Sequence, residues 1–523
     1  MLYTFKANQI LVLSALCSAA WFVIDGFVLP PAFGGIDIYY FKDAGINFAQ
    51  GLGFVSRFTF GNPTFEYQAY SQYPPVYPLL FGFFVKIFGT SAFTNQLFNS
   101  VVSLFLGVAC FFALKPLALG YASRFAPYIL AGILAVAVFT GFFCPDTDRP
   151  DGLGVFFGLL AFIALNRGNS RRTEFVAGVF CAVAMFTSPF AGIWASIVVA
   201  IVIASRHYPK EGWRLGLTGI VFAALGAMSV IILLGAAVAL LLPGWFTAFF
   251  GVLTGTSTHN ETGGGYFLAL LKGDFRTWAG GFETDLSDFY VGLAKLIAVQ
   301  IALAGAFIVT RRRYQIGRHG WPLAGLLAAS PLCLIAAPYQ VNYPPIAAAL
   351  LLAAAASMTA SIPIPARRLY ATAILIGFAL VSIVSVPFKS REAILRIGTR
   401  PSLARALDYI DANKTVFNRP DQFLAVSPSA YILWRQAGIR PLITAYSGFD
   451  KPENRKNLAY VDLTYPGSHN PLVPQIPSWL TDDEYRLVHQ PRLPQLAAIF
   501  GRMASRSSQT WESAIYAKRN DME

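Results

Sequence analysis

Asp37-Ile-Tyr-Tyr-Phe-Lys-Asp-Ala-Gly-Ile-Asn-Phe-Ala-Gln-Gly51-Leu-Gly-Phe54 is a polar island in an apolar chain, and the sequence on either side of it decides the fold. Just before it, residues 8–29 form a long apolar run. This start resembles a signal peptide, with Lys6 and the small residues Ser18-Ala-Ala20, but the run continues through Trp21 to Pro30. An uncleaved first membrane span is therefore expected. Beyond the island, apolar runs of helix length recur almost to residue 390, separated by short charged stretches.

Composition agrees with those runs. Of 523 residues, 55% are hydrophobic and only 13% charged, with 45 Phe, which is too apolar for a soluble protein of this size. The net charge of +13 does not point to nucleic acid, because its arginines sit in short loops between spans, as the positive-inside bias requires. The five cysteines (Cys17, Cys110, Cys144, Cys181, Cys333) lie in or beside apolar runs, so neither a disulfide framework nor a Cys-rich metal site follows.

Spans are expected near 8–29, 92–113, 126–143, 152–166, 174–188, 189–205, 215–242, 289–310, 321–337, 344–360 and 369–387. Thr187-Ser-Pro189 marks a tight turn between two of them. The basic loops (Lys115 to Arg124, Arg167 to Arg172, Arg206 to Arg214, Arg311 to Arg318, Arg367-Arg368) fall on one side if residues 76–89 do not cross. As a helix that segment reaches roughly 20 Å against a hydrocarbon core of about 30 Å, so it is expected to lie in the interface. About eleven spans then place the N-terminus in the cytoplasm. The large first loop 30–91, the acidic loop Pro145-Asp-Thr-Asp-Arg-Pro-Asp151, the 243–288 loop and the Tyr339–Pro345 turn meet on the outer face of the cytoplasmic (inner) membrane.

From about residue 388 the chain gains charge and proline. Short β-like stretches (422–427, 458–463, 513–517) alternate with helical ones (402–412, 429–438, 492–504). The expected organisation is a transmembrane domain, 1–387, and a small α/β domain, 388–523, outside the membrane, where it binds or caps rather than reacts.

Two acidic loops carry the candidate chemistry. Asp37, Tyr40 and Ala44 share one face of a short helix that Gly51 terminates. A carboxylate at a membrane surface beside aromatics is partly desolvated, a setting that suits a base; a helix N-cap is the alternative use of Asp37. Asp146, Asp148, Arg149 and Asp151 lie where one span leaves the membrane and the next begins. An acidic group there needs a partner or a task, and an Arg149–Asp151 pair or capping by Asp151 would be a purely structural one. In the 243–288 loop, His259-Asn-Glu261 followed by Gly263-Gly-Gly265 suits either a mobile lid or a plain solvent loop. Tyr339, Asn342 and Tyr343 suit sugar stacking and hydrogen bonding or an aromatic belt.

The chain resembles the GT-C superfamily of polyprenyl-phosphate-sugar glycosyltransferases, which includes protein mannosyltransferases and lipid A aminoarabinose transferases. Three places carry the likeness: Asp37-x-x-Tyr40-x-x-x-Ala44 running to Gly51-x-Gly53-Phe54, Tyr73-Pro-Pro-Val-Tyr-Pro-Leu-Leu80 running to Phe88-Gly89, and Arg149-Pro-Asp151 opening a span. The resemblance implies an inverting transfer of a hexose or pentose from a polyprenyl phosphate to a glycan, lipid or protein acceptor outside the membrane. Asp37 would be the base and Asp151 its catalytic companion, orienting acceptor or arginine. Asp43, Tyr40, Arg57, Tyr73, Arg149, Asp148, His259, Arg276, Tyr339, Asn342 and Tyr343 are the candidate substrate contacts. Arg149, Arg57, Lys42 and Arg276 are the candidates for the leaving phosphate, Arg149 first. The aminoarabinose transferases have a lysine beside the Pro-Pro pair, where this chain has Gln72 and Tyr73, so that donor class is disfavoured. No metal site is assigned; a divalent cation stays open, with Asp37, Asp43 and Asp151 as oxygen ligands. A transporter or flippase of a lipid-linked glycan is the alternative. It would want ionisable or helix-breaking residues in mid-membrane and paired halves, whereas the charges here collect at span ends.

Overall fold

The computed structural model describes residues 19–31, 36–59, 62–70, 73–119, 148–211, 213–242, 296–308, 343–359, 364–418, 422–427, 430–443, 452–464, 484–489 and 513–519, with isolated positions between them (16, 245–246, 294, 325–326, 362, 449, 480). The expected span 126–143 lies outside this set. So do nearly all of 321–337, the 243–288 loop and helix 492–504.

In hydrocarbon a backbone must satisfy its own amides, and the apolar runs accordingly fold as helices. These are α1 (Ala19–Val28), α4 (Ala92–Leu119), α5 (Asp151–Asn166), α6 (Arg171–Thr187), α7 (Pro189–Glu211), α8 (Trp213–Leu241), α9 (Leu296–Ile308) and α10 (Tyr343–Met358). Two more helices, α2 (Ile36–Ala49) and α3 (Val76–Phe88), occupy the first loop. Among the described residues, three helices are long and apolar enough to cross a membrane: α4, α7 and α8. Along α8, Leu217, Val221, Leu225, Met228, Ile232, Leu233, Leu240 and Leu241 are exposed. A bare apolar surface of that kind belongs in lipid; this is a membrane protein. At the other extreme, residues 346–356 of the alanine-rich α10 are all buried, packed against α4, α5 and α7. Small side chains let those neighbours approach closely. The expected break between the sixth and seventh helices falls at Ser188, whose extended backbone separates them, with Pro189 opening α7.

The first loop is ordered by its glycines. Gly51 has φ +79°, and Leu52 N–H donates to the Asn47 carbonyl (3.0 Å) while Gly51 N–H donates to that of Phe48 (3.1 Å). This Schellman closure ends α2 where the sequence predicts. Helices α2 and α3 meet backbone to backbone. A Cβ on Gly45 would lie 2.1 Å from the Pro78 carbonyl oxygen, and one on Gly82 would lie 2.7 Å from that of Gly45. Helix α3 buries Tyr77, Phe81 and Val85 and exposes Leu80, Phe83, Ile87 and Phe88. A hairpin, β1 (Val55–Thr59) with β2 (Asn62–Ala69), separates α2 from α3.

Helix α11 (Ile364–Phe417) runs without interruption from the last apolar stretch into the tail, so the expected boundary at 387/388 falls inside it. The tail itself forms a five-stranded mixed sheet from β3 (Phe423–Val426), β4 (Leu442–Ile443), β5 (Leu458–Thr464), β6 (Tyr485–His489) and β7 (Ser513–Lys518), in the order β4-β3-β5-β7-β6. Strand β3 is parallel to β4 and β5, while β7 is antiparallel to β5 and β6. The three strands expected from sequence are the central ones. Short helix α12 (Tyr431–Gln436) follows β3 and points this domain back at the first loop.

Candidate active site

Helix α2 is where the two acidic loops meet. Its residue Lys42 is fully buried and donates to Asn95 Oδ1 (2.7 Å), Asn99 Oδ1 (2.8 Å) and Asp148 Oδ1 (2.8 Å). Asn95 and Asn99 are one turn apart on α4, so both face the same way. Each also donates to Asp148 Oδ1, at 3.1 and 2.6 Å. The rings of Phe81, Phe98 and Tyr77 surround the ammonium at 5.0, 5.4 and 5.8 Å. Burial alone would raise the Asp148 carboxyl, but the Lys42 ammonium, with the Asn99 and Asn95 amides, outweighs it and holds the group below its ordinary range. With all three ammonium protons engaged and no exposed surface, Lys42 has no donor left for a phosphate.

Beside this cluster, Arg149 lies over the Phe41 ring (5.2 Å) and its Nε donates to Asp151 Oδ2 at 2.8 Å. The other Asp151 oxygen accepts from Ser188 Oγ at 2.6 Å, at the break between α6 and α7. Phe41 also meets Tyr73 edge-on (4.9 Å). Arg149, Asp151, Phe41 and Tyr73 therefore stand together at the end of the bundle where α4 and α5 begin.

Asp43, the next residue of α2, looks elsewhere. Its Oδ2 accepts from Asn47 Nδ2 (3.0 Å) and Ser56 Oγ (2.9 Å); its Oδ1 accepts from the Tyr431 hydroxyl and lies 3.6 Å from Arg435 Nη1. Arg435 Nη2 donates to Asn47 Oδ1 (2.8 Å) and Gln50 Oε1 (2.9 Å). Burial would lower the Arg435 guanidinium, yet Tyr431, Asp43 and Tyr67 together raise it. Burial pushes the Tyr431 hydroxyl well up. Arg57 is turned to the tail as well, with Nη1 on the Arg440 carbonyl (3.1 Å) and its guanidinium over Tyr67 and Phe423.

The backbone of Asp37 and Tyr40 lies in the first turns of α2, and that of Tyr343 opens α10; their side chains, like Asp146, His259, Arg276, Tyr339 and Asn342, lie outside the described residues. Among the described residues no group of three or more His, Cys, Asp or Glu could hold a metal ion. Of the carboxylates considered for a cation, Asp43 and Asp151 are each set against an arginine and hydrogen-bonded to a serine.

Asn95, Asn99, Ser188, Tyr431 and Arg435 are not among the candidate site residues that the sequence singles out. The two asparagines had a legible signal: amides four residues apart at the start of an apolar span need a reason to be there. Tyr431 and Arg435 had none, being 388 and 392 positions beyond the residues they serve.

No protein-family model and no curated protein matches this chain. Among solved structures, the chain is similar to the Archaeoglobus fulgidus oligosaccharyltransferase tethered to an acceptor peptide containing the NVT sequon, with TM-score 0.47 and 14% identity over 87% of this chain and 69% of that one. It is also similar to ArnT from Cupriavidus metallidurans bound to undecaprenyl phosphate, with TM-score 0.43 and 14% identity over 98% of each chain. Below a TM-score of 0.5 such likenesses assign neither fold nor function.

Proposed function

We propose that the chain is a membrane-embedded glycosyltransferase of the GT-C type, moving a sugar with inversion from a polyprenyl phosphate to a glycan, lipid or protein acceptor. The observation that supports this most is the meeting of the two acidic loops: Lys42 Nζ stands 2.8 Å from Asp148 Oδ1, with Arg149 over Phe41 alongside. That contact brings α2, which carries Asp37 in its first turn, to the turn that carries Asp151. Asp37 takes the proton of the acceptor as its oxygen attacks the anomeric carbon. The bond from that carbon to phosphate breaks, and the polyprenyl phosphate leaves as an anion. Arg149, oriented by Asp151, is the cation proposed to face that charge. Arg276, His259, Tyr339, Asn342 and Tyr343 remain candidates for the sugar.

The placing of charge supports the orientation. Arg171, Glu174, Arg206 and His207 gather at the end of α6 and α7 remote from α2, with Arg206 reaching Asn166 at the end of α5 (3.1 Å). The positive-inside bias puts that end in the cytoplasm and the α2 end, with the tail, outside. The protein is then read as an inner-membrane enzyme with both substrates met at the outer face.

The test is Asp37→Asn in purified full-length protein, assayed for release of polyprenyl phosphate from a panel of polyprenyl-phosphate-linked hexoses and pentoses. Removing a general base should cut kcat by about 10²–10⁴-fold with the melting temperature unchanged. A variant as fast as the parent removes Asp37 from the reaction. Parent protein that moves intact lipid-linked sugar across a vesicle membrane without breaking the sugar–phosphate bond would make it a transporter.

A further inference from the structure

The C-terminal part of the chain grips the segment that leads into and through α2 at two places. The first grip is at the entry. Arg396 of α11 donates from Nε to the Pro30 carbonyl (2.8 Å) and from Nη1 to Asp25 Oδ1 (2.6 Å), while Arg400 Nη2 reaches the Val28 carbonyl (3.1 Å). Asp25 sits in a π-helical last turn of α1, Ile24–Val28, where its other oxygen accepts from Ser100 Oγ (2.7 Å). Such turns recur at functional sites.

The second grip is on the body of α2. Asp43, Asn47 and Gln50 lie at i, i+4 and i+7, one stripe of the helix, and Arg435 touches all three. Tyr431 adds its hydroxyl to Asp43 and packs edge-on against Tyr39 at 4.8 Å. Asp43, Tyr431 and Arg435 are each 2% exposed or less. A guanidinium that spans two turns of one stripe fixes how far the helix is rolled about its axis, which a single bond would leave free.

From this geometry we infer that Tyr431 and Arg435 of the tail are positioning residues for the site on α2. They set the roll of the helix whose first turn carries Asp37, so the tail domain governs turnover without touching the reacting atoms. The inference rests on the proposed role of Asp37. Position 37 lies between the two grips, six residues before Asp43, or roughly 9 Å along the axis. A misplacement of about 1 Å at a reacting group costs on the order of 10²-fold in rate.

The experiment uses full-length detergent-purified parent, Tyr431→Phe, Arg435→Lys and Asp37→Asn. Amide hydrogen exchange of peptides covering 36–49 and 151–166 is measured beside turnover of the polyprenyl-phosphate-sugar panel. Positioning requires exchange at 36–49 to quicken about tenfold or more in Arg435→Lys, and less in Tyr431→Phe, with 151–166 unchanged. It also requires kcat to fall about 10- to 100-fold with KM within twofold of the parent. Unaltered exchange at 36–49 in both variants, or quickened exchange with parental kcat, overturns the inference. Equal quickening at 36–49 and 151–166 also overturns it, since the tail then stabilises the whole fold and has no particular hold on α2. Asp37→Asn separates the two ideas. If it turns over like the parent, the proposed base is wrong whatever the exchange shows; if it is inactive with parental exchange while the tail variants keep kcat, only the positioning fails.

Discussion

Lys42 and Asp43 are adjacent in sequence, opposite in charge and equally hidden, yet they serve different halves of the molecule. Successive helix residues are turned about 100° from each other, so one side chain enters the bundle and the other leaves it. The Lys42 cluster closes on Asn95, Asn99 and Asp148, all within the first third of the chain. The Asp43 cluster closes only when Tyr431 and Arg435 arrive. One cluster holds α2 to the membrane bundle; the other makes its setting depend on the tail. Both are built from buried charge set against opposite charge and hydrogen-bonded to neighbouring side chains, the condition under which such groups are tolerated.

The largest expected effect tests the first cluster. Lys42→Met takes the Lys42 ammonium away from the buried Asp148 carboxylate, and should cost about 3–5 kcal/mol, read as a fall in thermal unfolding temperature. Replacing both charges (Lys42→Met with Asp148→Leu) should recover only part of that loss, because the buried Asn95 and Asn99 amides then lose these partners; a double variant less stable than Lys42→Met would mean that the charge left on Asp148 is not the source of the loss. Next in size, Ser56→Ala removes one donor to Asp43 and should cost about 1–3 kcal/mol. Its effect should be absent in a background already lacking Asp43, and persistence there would detach Ser56 from the second cluster. The smallest effect at ordinary pH concerns protons. The folded Asp148 carboxyl is held below its usual range, so its contribution is complete above the unfolded value near 3.9 and is lost as pH falls through the lower folded one. In Lys42→Met burial acts on that carboxyl without the ammonium and raises it, so the gap in melting temperature between parent and variant should be fully open only above the variant's raised value and should narrow as pH falls through it. A gap that keeps its full size into strong acid would break the assignment of the shift to Lys42.

How much of this was legible in the sequence follows from the range of each interaction. Apolar runs, the Gly51 terminator and the Ser188-Pro189 break are local and were readable. So were the three central strands of the tail, while β4 and β6 were not. These are edge strands, one only two residues long and one, Tyr485-Arg-Leu-Val-His489, without the alternation of apolar and polar residues that marks a half-buried strand. The hairpin 55–69 was missed because Pro63 and a short loop mimic irregular chain. The change in composition near 388 suggested the end of a span, although one helix, α11, carries the chain through it with Pro387 and Pro401 inside. For the site, residue types placed Arg149 with Asp151 as a candidate pair, and the structure forms it. They could not tell that Lys42 and Asp43 would be consumed by partners, since helix phase says which way a side chain points but not what will be waiting.

Helix α11 has one more consequence. At about 1.5 Å per residue its 54 residues reach on the order of 80 Å, well over twice the hydrocarbon thickness. Helix bundle and sheet are thus joined by a mast with no slack tether between them. A soluble fragment begun at residue 388 would start on a severed helix, stripped of Asp25 and Pro30, which anchor Arg396. The tail is better regarded as the top of the last helix than as a detachable cap, and its behaviour alone in solution would say little about its behaviour in place.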